Sequence, residues 1–160
     1  MPHNHQRNRF ILPALALTTC ITFGGLTLAQ GAEPVWPKLT PKLQDLLQQE
    51  MVSVHEASRD ILTATIEGND EGVAELAQQI HDSFILKQSM TPEDKADLMA
   101  AVPEGFVKMD RAFHELAAAL AQAARDKDGA RQHETFGRMI EACSACHAQY
   151  ATDRFPEFAE

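Results

Sequence analysis

Between Phe106 and Ala123 the apolar side chains fall at Phe106, Met109, Phe113, Leu116, Leu120 and Ala123, spaced three, four, three, four, three. That spacing puts all six on one face of an α-helix and on no single face of a strand. Other stretches read the same way. Thr40-Pro41 pairs a hydroxyl N-cap with proline at the first helical position. Leu43, Leu47, Met51, Val54, Ile61 and Thr65 then follow as an apolar stripe, and Gly68-Asn69-Asp70 ends it. A second helix is expected from about Asp70 to Gln88, with Val73, Leu76, Ile80 and Phe84 inward. Ser89-Met90-Thr91-Pro92-Glu93 breaks the chain and caps a short helix through Leu98. Val102-Pro103-Glu104-Gly105 and Asp126-Lys127-Asp128-Gly129 bound the Phe106 helix. The last helix carries Phe136, Met139, Ile140, Cys143, Cys146, His147 and Tyr150 on one face and is expected to stop at Pro156. No run of alternating β-branched residues appears. The expected fold class is all-α, an antiparallel four-helix bundle.

The chain has 160 residues, and its start is of a different kind from the rest. Residues 1–9 are polar and carry Arg7 and Arg9 with no acid, and residues 10–29 are apolar and uncharged. Thr27-Leu28-Ala29 places small residues where a signal peptidase reads them. Residues 1–29 are expected to be an export signal, 30–39 an extended leader containing Pro34, Trp36 and Pro37, and 40–160 the domain. Cleavage after Ala32 is an alternative. So is retention of residues 10–29 as a membrane anchor, which Pro13, Gly24 and Gly25 disfavour. Leu17-Thr18-Thr19-Cys20 is a poor lipoprotein box. The expected location is the periplasm.

Beyond the first 32 residues, 12 lysines and arginines face 23 aspartates and glutamates, a net charge of −11. Such a surface repels nucleic-acid phosphates and favours a partner with a basic docking surface.

Once Cys20 leaves with the signal, Cys143 and Cys146 are the remaining cysteines. A disulfide closing so short a loop would stabilise little. They belong to Cys143-Ser144-Ala145-Cys146-His147, a C-x-x-C-H segment. This arrangement sets two thiols to reach the two vinyl groups of one porphyrin and the adjoining imidazole to reach its iron. Structural zinc would need a second pair of cysteines or histidines at short spacing. A dithiol redox pair would follow a strand in a βαβ unit. One covalent haem c is the expected cofactor.

A haem motif at the end of a four-helix bundle resembles the class II cytochromes c, the cytochromes c-prime and their low-spin relatives. The resemblance implies thioether bonds at Cys143 and Cys146 and His147 as the proximal iron ligand. It also implies that the first helix builds the opposite face of the iron, and that a homodimer is possible. Many relatives carry a base four residues after the histidine. Ala151 stands there, and Arg154 is the nearest base.

The first helix offers Met51, and His55 one turn later, as the distal ligand. A thioether suits an apolar pocket, so Met51 is preferred, although methionine also fills bundle cores. His55 beside Glu56 reads as the more exposed of the two. His81, His114 and His133 read as surface or boundary histidines, Met109 as packing, and Lys87 with Gln88 as a solvated helix end. The expected activity is electron transfer. Binding of nitric oxide or carbon monoxide at an open iron is the alternative. An enzyme is not expected, because a peroxidase needs a distal acid–base group and His55 with Glu56 is the only hint of one.

Overall fold

The computed structural model describes residues 32–159, so the export signal read in residues 1–29 lies outside the described residues. Six helices follow in order: α1 (Pro41–Glu67), α2 (Asp70–Asp82), α3 (Leu86–Ser89), α4 (Pro92–Ala101), α5 (Glu104–Arg125) and α6 (Gly129–Tyr150). No strand occurs among the described residues. The long helices make a four-helix bundle, and α3 and α4 lie in the connection between α2 and α5.

Local chemistry sets most of the boundaries. Thr40 Oγ1 accepts the Leu43 N–H at 3.3 Å, and Pro41 opens α1 without wasting a donor. Gly68 closes α1 at φ 69°, a left-handed conformation that glycine adopts without strain. Thr91 and Asp94 form a reciprocal capping box at the start of α4. Asp94 also accepts from Lys42 Nζ at 2.5 Å, which holds its carboxyl at a pKa of about 2.

The core is a layer of small and branched side chains. Ile61, Val73, Ala77, Ile80, Ala117, Leu120 and Ala121 are fully buried in it. Each large aliphatic side chain so buried contributes about 1.5–3 kcal/mol. An exposed ion pair such as Lys38–Glu33, at 2.8 Å, contributes at most about 1 kcal/mol. Apolar packing therefore holds the bundle.

The buried stripe of α1 runs through Leu43, Leu46, Glu50, Val54, Ala57, Ile61 and Ala64. It is rotated from the stripe expected of the sequence, and Met51 lies off it, 41% exposed. The departure centres on Glu50, which is 1% exposed. Its carboxylate accepts from Ser83 Oγ at 2.9 Å and from the backbone N–H groups of Phe84, Ile85 and Leu86 at 3.1, 2.6 and 3.0 Å. A carboxylate only accepts, and these four donors use both its oxygens. This corrects the single helix expected over 70–88. The chain leaves α2 at Ser83, with φ 64°, because Glu50 takes the N–H groups that would otherwise continue the helical ladder.

Two histidines clasp α2 to α5. His81 Nδ1 lies 3.0 Å from the His114 carbonyl, and His114 Nδ1 lies 2.7 Å from the Ile80 carbonyl. A carbonyl can only accept, so both Nδ1 atoms carry protons. The Asp110 carboxylate, 3.7 Å from His114 Nε2, raises the His114 pKa above 6.5. At that distance the contact is an ion pair rather than a short hydrogen bond. The Ile80 carbonyl and the Glu50 charge act in the same direction, and burial opposes them.

Around the bundle, α1 packs along α2, α2 along α5, and α5 along α6. The fourth seam, α1 against α6, has no comparable backbone approach. Ala57, Ile61 and Ala64 of α1 share the main core with Met139 of α6, and the seam is bridged again at the end that carries the C-x-x-C-H segment. There Leu43 and Leu47 of α1 share an apolar cluster with Cys146 and Tyr150 of α6 and with Phe106, Met109, Met90 and Val102. The segment read as an extended leader joins the same end. Residues Trp36–Lys38 form a 3-10 turn, and Val35 and Leu39 on either side of it are buried.

Two outcomes follow from these contacts. Glu50→Ala leaves a hydroxyl and three amides without an acceptor and should lower the unfolding free energy by about 3 kcal/mol or more. Urea denaturation measures this, and Glu50→Gln should lose less because its amide oxygen still accepts. The raised His114 pKa stabilises the fold fully below pH 6.5, and that stabilisation is lost as pH rises through the raised value. Thermal melts between about pH 6 and about pH 9 should show Tm falling, and Asp110→Asn should flatten the fall.

Candidate haem site

Cys143 and Cys146 lie three residues apart near the end of α6, and so on one face of it. Both are half-buried free thiols. Burial pushes the Cys143 thiol up. It pushes Cys146 up to about 11, with the Asp110 and Cys143 charges adding to the effect. Both thiols are therefore protonated at neutral pH. A dithiol redox pair works through a depressed pKa and a standing thiolate, and this pair has neither. Among the described residues no group of three or more histidine, cysteine or acidic side chains is arranged to hold a metal ion. The pair therefore lacks the further ligands that structural zinc would use.

His147 follows on the last turn of α6. Burial lowers its pKa, which favours the neutral imidazole with a lone pair available to a metal. Its ring makes no hydrogen bond among the described residues. It is stacked on Phe155, with centroids 4.3 Å apart and planes 10° apart. Just beyond it, Tyr150 packs edge-on against Phe106 at 5.5 Å. Gly105 permits this approach, since a Cβ there would stand 2.3 Å from the Tyr150 hydroxyl oxygen. The helix stops at Tyr150 rather than at Pro156, and Pro156 instead opens a 3-10 turn over Pro156–Ala159.

The other candidates divide into engaged and free groups. Met51 and His55 are both exposed on α1. Met51 follows Leu47 by one turn, about 6 Å along the axis and about 40° round it. His55 is twice as far on both counts. Met90 and Met109 pack into the cluster that contains Cys146, as expected for Met109. His81 and His114 are committed to the interhelical clasp, and His133 is exposed. Lys87 is exposed, whereas Gln88 Nε2 donates to the Ser83 carbonyl at 2.9 Å. Ile140 was expected on the inner face of α6 but is 54% exposed, because Met139 takes the core position beside it. The guanidinium of Arg154 lies 4.1 Å over the Trp36 ring. No local pattern in the sequence announces Phe155, Trp36 or Asp110 as neighbours of the motif. Each arrives from another segment.

These residues fit a covalently attached haem. Two neutral thiols on one helical face, an imidazole without a hydrogen bond and an apolar surround meet at the seam that the helices leave least packed. No curated protein and no solved structure matches the chain. A family model does match, that of Cytochrome C', over residues 44–151. The match begins in the first turn of α1 and ends one residue past α6, and it covers more than half of the chain. The protein therefore belongs to the cytochrome c-prime family, whose members bind haem c covalently.

Proposed function

We propose that this is a periplasmic mono-haem electron-transfer protein. Cys143 and Cys146 carry the two thioether bonds, His147 is the proximal iron ligand and Met51 the distal one. When bound, haem supplies a one-electron ferric–ferrous couple. The rest is the work of the chain. The apolar cluster of Leu43, Leu47, Phe106 and Met109 excludes water from the Cys146 side of the seam. The neutral imidazole of His147 needs no proton removed before it can coordinate.

The observation that carries the Met51 assignment is its exposure. Met139 packs in the core at 2% exposed, whereas Met51 is 41% exposed, one turn beyond Leu47 on its flank of α1. It also stands closer than His55 to the Leu47 position, which already neighbours Cys146. The net charge of −11 beyond the leader supports a basic redox partner. Export rests on the signal read in residues 1–29 and on the family, whose members are typically periplasmic. No described helix is long and apolar enough to cross a membrane. We infer no catalytic turnover: the one distal acid–base pair the sequence offers, His55 with Glu56, lies on the exposed side of α1.

A second reading has its own support. The α1 side chains in the cluster with Cys146 are Leu43 and Leu47, and leucine cannot coordinate iron. If Leu47 rather than Met51 faces the iron, the sixth position is open to nitric oxide or carbon monoxide.

Optical spectra of both redox states, with and without carbon monoxide, separate the two. On the electron-transfer reading the ferrous protein is low-spin and six-coordinate. Met51→Ala then converts it to a five-coordinate, high-spin form and tightens carbon monoxide binding by at least about tenfold, or 1.4 kcal/mol. A wild type already five-coordinate, with Met51→Ala unchanged from it, would establish the gas-binding reading instead. His55→Ala should leave both spectra as they are.

A further inference from the structure

The imidazole of His147 is held from one face. Phe155 lies flat against it at 4.3 Å. A ring nitrogen coordinates through a lone pair in the ring plane, so a partner on the face leaves coordination free. The same partner limits how far the ring can turn. A metal-binding histidine is ordinarily oriented by a hydrogen bond from its other ring nitrogen, and with none made here among the described residues the stack on Phe155 is what limits the ring.

Phe155 is itself secured. Its amide and that of Arg154 both donate to the Ala151 carbonyl, each at 2.9 Å. Pro156 restricts the backbone immediately after it. Arg154 reaches back to the Trp36 ring. Trp36 is anchored in turn, since its carbonyl accepts from Gln44 Nε2 at 2.9 Å and its neighbour Val35 is buried. The leader is tied to the end of α6 by Glu33 N–H to Gln149 O at 2.7 Å and Val35 N–H to Tyr150 O at 3.0 Å. The path from leader to tail to imidazole is thus continuous. Trp36, Arg154 and Phe155 all lie outside the residues that match the family.

We propose that Phe155 is a positioning residue for His147, fixing the plane of its imidazole, and that the Arg154–Trp36 contact holds Phe155 in place. The proposal rests on His147 being the proximal iron ligand.

The plane of an axial imidazole governs how unpaired spin spreads over the porphyrin methyl groups. Proton NMR of the ferric holoprotein therefore reads it directly, without any activity assay. Phe155→Tyr keeps a flat ring and should retain the wild-type pattern of shifted methyl resonances. Phe155→Leu keeps apolar bulk without a flat face, and it should change that pattern, as should Phe155→Ala. Arg154→Ala should shift the pattern in the same direction by a smaller amount. A wild-type pattern in Phe155→Leu would overturn the proposal, because simple apolar cover would then suffice. The Leu variant gives this answer even if the Ala variant yields no holoprotein. Absence of iron-bound imidazole signals from the wild type itself would overturn the His147 assignment and the proposal with it, an outcome distinct from a failure confined to the Phe155 variants.

Discussion

The carboxylate of Glu50 reaches from the middle of α1 to the end of α2 and there gathers one hydroxyl and three backbone amides. A buried carboxylate is costly unless its oxygens are filled, and here they are filled by groups that would otherwise have continued a helix. The one contact therefore does two things. It ends α2 at Asp82 and turns the chain into α3, and it fixes the rotation of α1 about its own axis. That rotation decides which side chains of α1 lie along the core and which along the seam with α6. Val54 and Ile61 go inward, and Met51 does not. Where α1 presents Met51 thus depends on the buried carboxylate of Glu50.

The surroundings of the C-x-x-C-H segment depend on how unevenly the four long helices pack. Three seams are closed by small residues, with Ala77, Ala117, Ala121 and Ala124 letting backbones approach. The fourth relies on side chains, at Met139 in the main core and again near Leu47 and Cys146. Burial keeps the two thiols there protonated and the neighbouring imidazole neutral. These are the states a covalent attachment and a metal bond start from, and they are not the states of a thiolate redox centre.

Much of this was legible in the sequence because it is local. Thr40-Pro41, Gly68 and Thr91-Pro92 act within one helical turn, and they mark boundaries that the structure keeps. The C-x-x-C-H segment is likewise self-contained. What escaped is long-range. The periodicity reads straight through Ser83, because the acceptor that breaks the helix stands 33 residues earlier. The stripe of α1 is misjudged by one flank, because a glutamate is not counted as a core residue until its donors are known. Ile140 and Met139 are adjacent and equally apolar, and only tertiary packing chooses between them. Phe155 and Trp36 look like loop residues until the chain ends come together.

That meeting of the ends has a consequence for how the molecule assembles. The contacts α1–α2, α2–α5 and α5–α6 join long helices that succeed one another along the chain, so the loops they close are short. The bonds from Glu33 to Gln149 and from Val35 to Tyr150, with the Arg154–Trp36 contact, close nearly the whole described domain as one loop, at a larger entropic cost than the contacts between successive helices. That cost is smallest once the helices between are in place, which favours the His147 end joining after them. A motif at such an end stays reachable for longer than one buried between the central helices.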